Sequence, residues 1–354
     1  MSNTRWFRVL LINMLIAASL ILTFGIAGEY YFRFYVPSPD YRGLCEKTSD
    51  SRLYAMKPNM DIVRQGVRIM TNSDGFRDKE FKDALGEDRF VIAVLGDSYT
   101  FGQGVPQDKT FPSLLENTLN QSAKTDYFRV WNLGVSGYNT EQEDSLLRSF
   151  VLPRAPKWVV VGYNVNDYEP AYPLPDATSA NGGKTSMKPS WIQEVLDRQL
   201  FVLSFARGRI GSLIRIFKPQ WRGSSYVQDV VHEYLGPGDG WKKASRLLSE
   251  MNRECTARGI GFTVAILPAM FDCSHHPFEG VHQMVVSYCR SSGIYCVDVT
   301  PQFRGKKSEN LVVSVVDPHP GASAQEVFAD AVASHLLSVI PLSGKIPITG
   351  NSHY

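Results

Sequence analysis

The chain has 354 residues, 44% hydrophobic and 20% charged, the balance of a globular protein with a sizeable core. Its 37 basic and 35 acidic side chains leave a net charge of +2, which gives no footing for nucleic acid, since that partner calls for a basic face. Five cysteines (Cys45, Cys255, Cys273, Cys289 and Cys296) are too few for a disulfide-built scaffold; one bridge among the last three and five reduced thiols both fit.

Arg5 and Arg8 precede an uncharged run of 19 residues, Val9 to Ala27, the length that crosses a hydrocarbon core as a helix. The run is long for a signal-peptide core, and Ala27 offers only a weak cleavage site. Tyr30, Tyr31, Phe32, Phe34 and Tyr35 crowd its far end, as aromatic side chains do at a membrane interface. We read segment 1–36 as an uncleaved signal anchor, one transmembrane helix with the remaining chain outside the cytoplasm, periplasmic or on the cell surface. Cleavage by a signal peptidase is the competing reading. Residues 37–88 are polar and turn-rich, with "TNSDGFRDKEF" from Thr71 to Phe81, and form a collar between anchor and body.

From 89 to 345 a repeating pattern sets in. "RFVIAVLGDS", "FRVWNLGVSG" (Phe128 to Gly137), "KWVVVGYNVND" (Lys157 to Asp167), "IGFTVAILPAM" (Ile260 to Met270) and "GIYCVDVT" (Gly293 to Thr300) are apolar runs of strand length. Strands apolar on both faces belong in a parallel sheet covered by helices. Helical spacing fills the intervals at Thr110 to Asn120, Thr140 to Phe150, Trp241 to Gly259 and Ala322 to Ile340, with a capping-box pattern at Thr140 and Glu143. The alternation predicts a three-layer α/β/α sandwich around a five-stranded parallel sheet. Between 170 and 240 the rhythm breaks into a loop-like stretch and a helical one (Trp191 to Phe217), read as an insertion above the sheet edge.

In open α/β sheets ligands sit beyond the carboxyl ends of the strands. Three strands end there in polar groups: Gly96-Asp97-Ser98, Gly134-Val135-Ser136-Gly137 and Asn164-Val165-Asn166-Asp167. Just before the last helix comes Asp317-Pro318-His319-Pro320. Acyl transfer needs such parts. A serine hydroxyl attacks once an imidazole takes its proton, and the imidazole needs a carboxylate to fix its tautomer. The tetrahedral intermediate needs donors aimed at its oxyanion. Ser98 fits the nucleophile, His319 the base and Asp317 its orienting acid. The N–H groups of Ser98 and Gly137 and the side-chain amide of Asn166 fit the oxyanion hole.

These blocks in this order, over residues 90 to 340, resemble the SGNH hydrolase superfamily, the GDSL-like lipases and esterases. The resemblance implies a flavodoxin-like sandwich that uses no metal or organic cofactor. It also implies the four name-giving roles for Ser98, Gly137, Asn166 and His319. "NSDGFR" is similar to a segment of membrane-anchored bacterial members. The family's usual last block is Asp-x-x-His, whereas here the acid stands two residues before His319 and prolines flank the imidazole. The function so implied is an extracytoplasmic serine esterase acting on short O-acyl esters of envelope or exported polysaccharide. An O-acyltransferase using the same triad, and a catalytically idle carbohydrate-binding protein, are the alternatives.

Three features compete for attention. Ser136 in "GVSGY" lacks the second glycine of a nucleophile elbow. Asp272, Cys273, His275, His276, Glu279 and His282 have residue types that suit zinc, but no tight ligand pair recurs, so surface or substrate contact is favoured over a metal. Tyr99, Phe101, Tyr138, Tyr163 and Tyr168 stand beside the polar blocks, as a substrate wall or as core.

Overall fold

A computed structural model describes residues 3–35, 44–64, 66–81, 89–174, 224–270, 273, 276–314 and 317–341. The larger part of the expected insertion, 175–223, lies outside them, as do Asp272 and His275 of the histidine-rich cluster. The first helix, α1, runs Asn3–Tyr35. Its stretch Trp6–Gly28, 23 residues, is long and apolar enough to cross a membrane, and its side chains are exposed around the whole circumference. A helix apolar on every side suits a bilayer span or a signal sequence. The aromatic side chains from Tyr30 to Tyr35 lie outside the described residues.

The collar is more ordered than its composition suggests. β1 (Cys45–Lys47) pairs antiparallel with β2 (Tyr54–Met56), and β3 (Asp61–Arg64) with β4 (Val67–Met70). Tyr54, Met56, Ile69, Phe76 and Phe81 are buried in the same apolar cluster as the main sheet. These strands are too short and too mixed in polarity to stand out in sequence.

The main sheet follows. β5 (Phe90–Gly96) leads into α2 (Ser98–Phe101) and α3 (Phe111–Ala123); β6 (Phe128–Gly134) leads into α4 (Thr140–Leu146); β7 is Trp158–Tyr163. α5 (Ser224–Leu235) and α6 (Asp239–Thr256) precede β8 (Gly261–Ile266), and α7 (Glu279–Ser291) precedes β9 (Tyr295–Asp298). The five strands are all parallel in the order β6-β5-β7-β8-β9. Alternation along β5 sorts the layers: Val91, Ala93 and Leu95 face one cluster, Ile92 and Val94 the other. The first cluster is closed by α4, α6, α7 and the collar, the second by α3 and α8 (Ala322–Val339). The expected three-layer sandwich is therefore present. Its strand order reverses direction beside β5, the switch point where such sheets bind ligands.

Two local expectations fail. Thr140 and Glu143 form no capping box. Asn139 is the N-cap, its side chain accepting from Gln142 N–H at 3.0 Å, while the Thr140 hydroxyl donates to the Asp167 carbonyl at 3.2 Å. Glu143 turns inward and is fully buried. A helix at Glu279–Ser291 stands where the sequence drew attention only to metal-binding residue types. No disulfide joins any two of the five cysteines, all of which lie among the described residues.

Candidate active site

β5 and β6 end in glycine and β7 carries Gly162 one residue before its end; Gly96 is in register with both Gly134 and Gly162. This row lets the single turn of α2 lie directly on the sheet. A Cβ at Gly134 would come 2.2 Å from the Phe101 nitrogen, and one at Gly96 2.2 Å from Thr100 Oγ1. Ser98 is the first residue of that turn, and Asp97 caps it by accepting from Tyr99 N–H at 2.8 Å. The turn ends at Gly102, left-handed with φ 77°, whose N–H returns to the Ser98 carbonyl. From the opposite layer, the Gln325 amide donates to the Tyr99 carbonyl at 3.1 Å and accepts from Phe111 N–H at 2.6 Å.

The partner of Ser98 arrives on a hairpin. β10 (Val312–Ser314) pairs antiparallel with β11 (Asp317–Pro320). In an extended strand residues two apart point the same way, so Asp317 and His319 share a face, while Pro318 and Pro320 hold the backbone extended. His319 Nε2 lies 3.0 Å from Ser98 Oγ, and His319 Nδ1 lies 2.6 Å from Asp317 Oδ1. Asp317 Oδ1 also accepts the His319 backbone N–H at 3.1 Å. The carboxylate can only accept, so Nδ1 carries its hydrogen and Nε2 is left as acceptor for the serine proton. The two-residue spacing, unusual for the Asp-x-x-His pattern, is what a strand requires.

One residue that the sequence did not single out, Gln103, joins the predicted ones around this hydrogen-bonded chain. Gln103 is buried, its amide nitrogen 3.4 Å from His319 Nδ1 and its carbonyl accepting from Ser136 Oγ at 3.0 Å. With Nδ1 already donating to Asp317, the longer approach is a packing contact. Ser136 thus has an amide partner, and His319 bonds Ser98 instead. Asn166 is half-buried in the turn after β7 and donates from its side chain to Asp97. Asp97 therefore ties the nucleophile turn to the Asn166 turn. Burial pushes its carboxyl up to about 6, against the pull of the Tyr99 N–H, His319 and the Asn166 amide. Glu143 and Asp167 are buried beside it. Burial holds both well above the carboxylate range, and the repulsion among the three raises them further. Gly137 is exposed, with φ 82°, at the end of the loop after β6.

The aromatic residues divide. Phe101, Tyr138 and Tyr163 are core, whereas Tyr99 is half-buried and meets the His319 ring edge-on at 6.0 Å. Tyr168 is also half-buried and packs on Tyr234. Of the histidine-rich cluster, His282 is buried with Nδ1 2.7 Å from Thr300 Oγ1, and His276 Nε2 lies 2.9 Å from the Ala269 carbonyl. Burial, with His276 beside it, pulls His282 down to about 3, so it is neutral. Among the described residues no three His, Cys, Asp or Glu side chains are grouped to hold a metal ion.

A serine, an imidazole and a carboxylate stand in one hydrogen-bonded chain at the switch point of a parallel sheet, an arrangement suited to acyl transfer. Residues 94–327 match the GDSL-like lipase/acylhydrolase family, and the chain belongs to that family of ester-hydrolysing enzymes. Among solved structures it is similar to TesA, at 14% identity and a TM-score of 0.42, over 71% of this chain and 99% of that one. It is similar also to a catalytic mutant of Axe2, an acetylxylan esterase from Geobacillus stearothermophilus, at 12% identity and a TM-score of 0.42, over 70% and 93%. A two-domain esterase active on acetylated mannans is a third, at 12% identity and a TM-score of 0.42, over 73% of this chain and 51% of that one. No curated protein matches the chain.

Proposed function

We propose that the protein is a membrane-anchored, extracytoplasmic serine esterase that removes short acyl groups, such as acetyl, from polysaccharide hydroxyls. The observation that carries this reading is the chain Asp317 Oδ1, His319 Nδ1, His319 Nε2, Ser98 Oγ, with links of 2.6 and 3.0 Å. Ser98 Oγ attacks the ester carbonyl as its proton passes to His319 Nε2, and Asp317 stabilises the imidazolium. The oxyanion is received by the N–H groups of Ser98 and Gly137 and by the Asn166 amide, which Asp97 steadies from behind. His319 then protonates the departing alcohol, and water repeats the sequence on the acyl-enzyme.

A short acyl group suits the surroundings. Ser98 is 8% exposed, and its neighbours Gln103 and Ser136 are polar rather than a lining for an alkyl chain. Trp6–Gly28 suits an anchor, which would hold the body beside surface polymers. Full-length protein in detergent should release acetate from acetylated xylan or p-nitrophenol from its acetate. Ser98→Ala should lower kcat by a factor on the order of 10⁵. Undiminished turnover in that variant refutes the assignment. Weighing products with an added oligosaccharide acceptor separates hydrolysis from transfer.

A further inference from the structure

Arg77 closes the collar's "NSDGFR" segment, outside the blocks that carry the candidate site, yet its side chain is 1% exposed. Its Nη1 donates to the carbonyls of Gly102 at 2.6 Å and Phe101 at 3.2 Å, and its Nη2 to the Val105 carbonyl at 2.7 Å and, more distantly, to that of Arg68 at 3.5 Å. The guanidinium also sits over the Phe101 ring, 5.1 Å from its centre. The two carbonyls on Nη1 belong to the peptide groups whose other ends are the N–H of Gly102 and of Gln103. Both N–H groups bond the Ser98 carbonyl, at 3.1 and 3.0 Å. One cation therefore grips, by their oxygens, the two peptide planes that grip the nucleophile's own backbone. A charged donor strengthens such a chain by polarising it.

The support behind Arg77 is stiff. Asn72 Oδ1 accepts from Phe76 N–H at 2.9 Å and from Asp74 N–H at 3.1 Å. Gly75, with φ 86°, lies so close that a Cβ would come 2.5 Å from the Met56 carbonyl oxygen. On the far side Asp78 accepts from Arg129 at 2.7 Å and from Asn132 N–H, in β6, at 2.8 Å. "NSDGFRD" is thus a strut from the edge strand β6 to the turn that carries Ser98.

We propose that Arg77 is a positioning residue for Ser98, so that the collar is part of the esterase's working parts; this rests on the reading of Ser98 as nucleophile. The fork of Arg77 sets the tilt of α2 and, through it, the direction of Oγ relative to His319 Nε2. Misdirecting a nucleophile by a fraction of an ångström costs rate and not affinity. In full-length enzyme in detergent, Arg77→Ala and Arg77→Lys should each lower kcat for p-nitrophenyl acetate by about 100-fold. KM should stay within about twofold, because ground-state binding is untouched. The rate of fluorophosphonate labelling at Ser98 should fall in parallel. Added methylguanidinium should restore part of the kcat of Arg77→Ala and leave the wild type unchanged. A merely structural arginine predicts a lowered Tm with wild-type kcat, and that result overturns the proposal.

Should neither variant fold, wild-type enzyme labelled with ¹⁵N-arginine decides. A slowly exchanging Nη–H signal that shifts when Ser98 is phosphonylated supports the link; no such shift overturns it. Failure of the esterase reading looks different, because the wild type itself would then neither turn over esters nor label at Ser98.

Discussion

The two ends of the hydrogen-bonded chain are built on opposite plans. The serine end is over-determined: a row of three glycines, the Asp97 cap, the Gln325 amide and the Arg77 fork all fix one turn of four residues. The imidazole end is sparse. His319 is half-buried on a three-residue and a four-residue strand, held by strand periodicity, two prolines and one carboxylate. A nucleophile has to be aimed, and aim is distributed over many contacts that also hold the fold together. A base has to be oriented and charged correctly, which a single neighbour can do. Substitutions at the serine end should therefore cost stability along with rate, and substitutions at the imidazole end rate alone.

The sharpest separation comes from Asp317→Asn. The amide keeps the shape and side-chain volume but offers a donor where Nδ1–H needs an acceptor, so the imidazole turns to the wrong tautomer. A loss in kcat on the order of 10³–10⁴ follows. Because Asp317 lies on the hairpin rather than in the main sheet, Tm should move by less than about 2 °C. Steady-state kinetics beside a thermal melt checks both halves. A melt lowered by ten degrees would mean that the hairpin carries the fold as the serine turn does, and the contrast would be lost.

Gly134→Ala probes the other end. The added methyl would meet the Phe101 nitrogen at 2.2 Å and its Cα at 2.8 Å, both backbone, so α2 must lift off the sheet. Destabilisation of about 3 kcal/mol or more is expected, together with loss of Ser98 labelling. Denaturant unfolding followed by tryptophan fluorescence measures it. Wild-type stability with lost activity would show that the turn is free to move without disturbing the sheet.

This contrast also marks what the sequence could and could not convey. The five strands are legible because they are apolar on both faces, and the polar triplets are legible because they interrupt those runs at one end. Ser98, His319 and Asp317 belong to that visible class. Arg77 is legible only as the last residue of "NSDGFR", with no role attached to it, and only the fold brings the carbonyls of Phe101, Gly102 and Val105 to its side chain. Glu143 misled in the same way, its spacing from Thr140 suggesting a cap when Asn139 had taken that place. Tertiary partners decide the burial of a charged side chain, and periodicity carries no record of them.

The weakest expected effect concerns those buried acids. Asp97, raised from 3.8 to about 6, holds its proton in the folded protein after the unfolded chain has released it. Stability therefore falls as pH rises through that interval, the opposite of a salt-bridged aspartate. Glu143 and Asp167, both raised, extend the decline to higher pH. Among the described residues neither a cation nor a hydrogen-bond donor meets the carboxyl oxygens of Glu143, so its ionisation is the least compensated of the three. Glu143→Gln removes that charge at nearly constant volume. The fall in Tm between pH 5 and pH 8 should become shallower, with a gain at pH 8 of about 2–4 °C, the shift that roughly 1 kcal/mol produces in a domain of this size. Thermal melts across that range decide. Parallel curves for variant and wild type would mean that Glu143 does not titrate there, and that the serine end owes its rigidity to contacts alone.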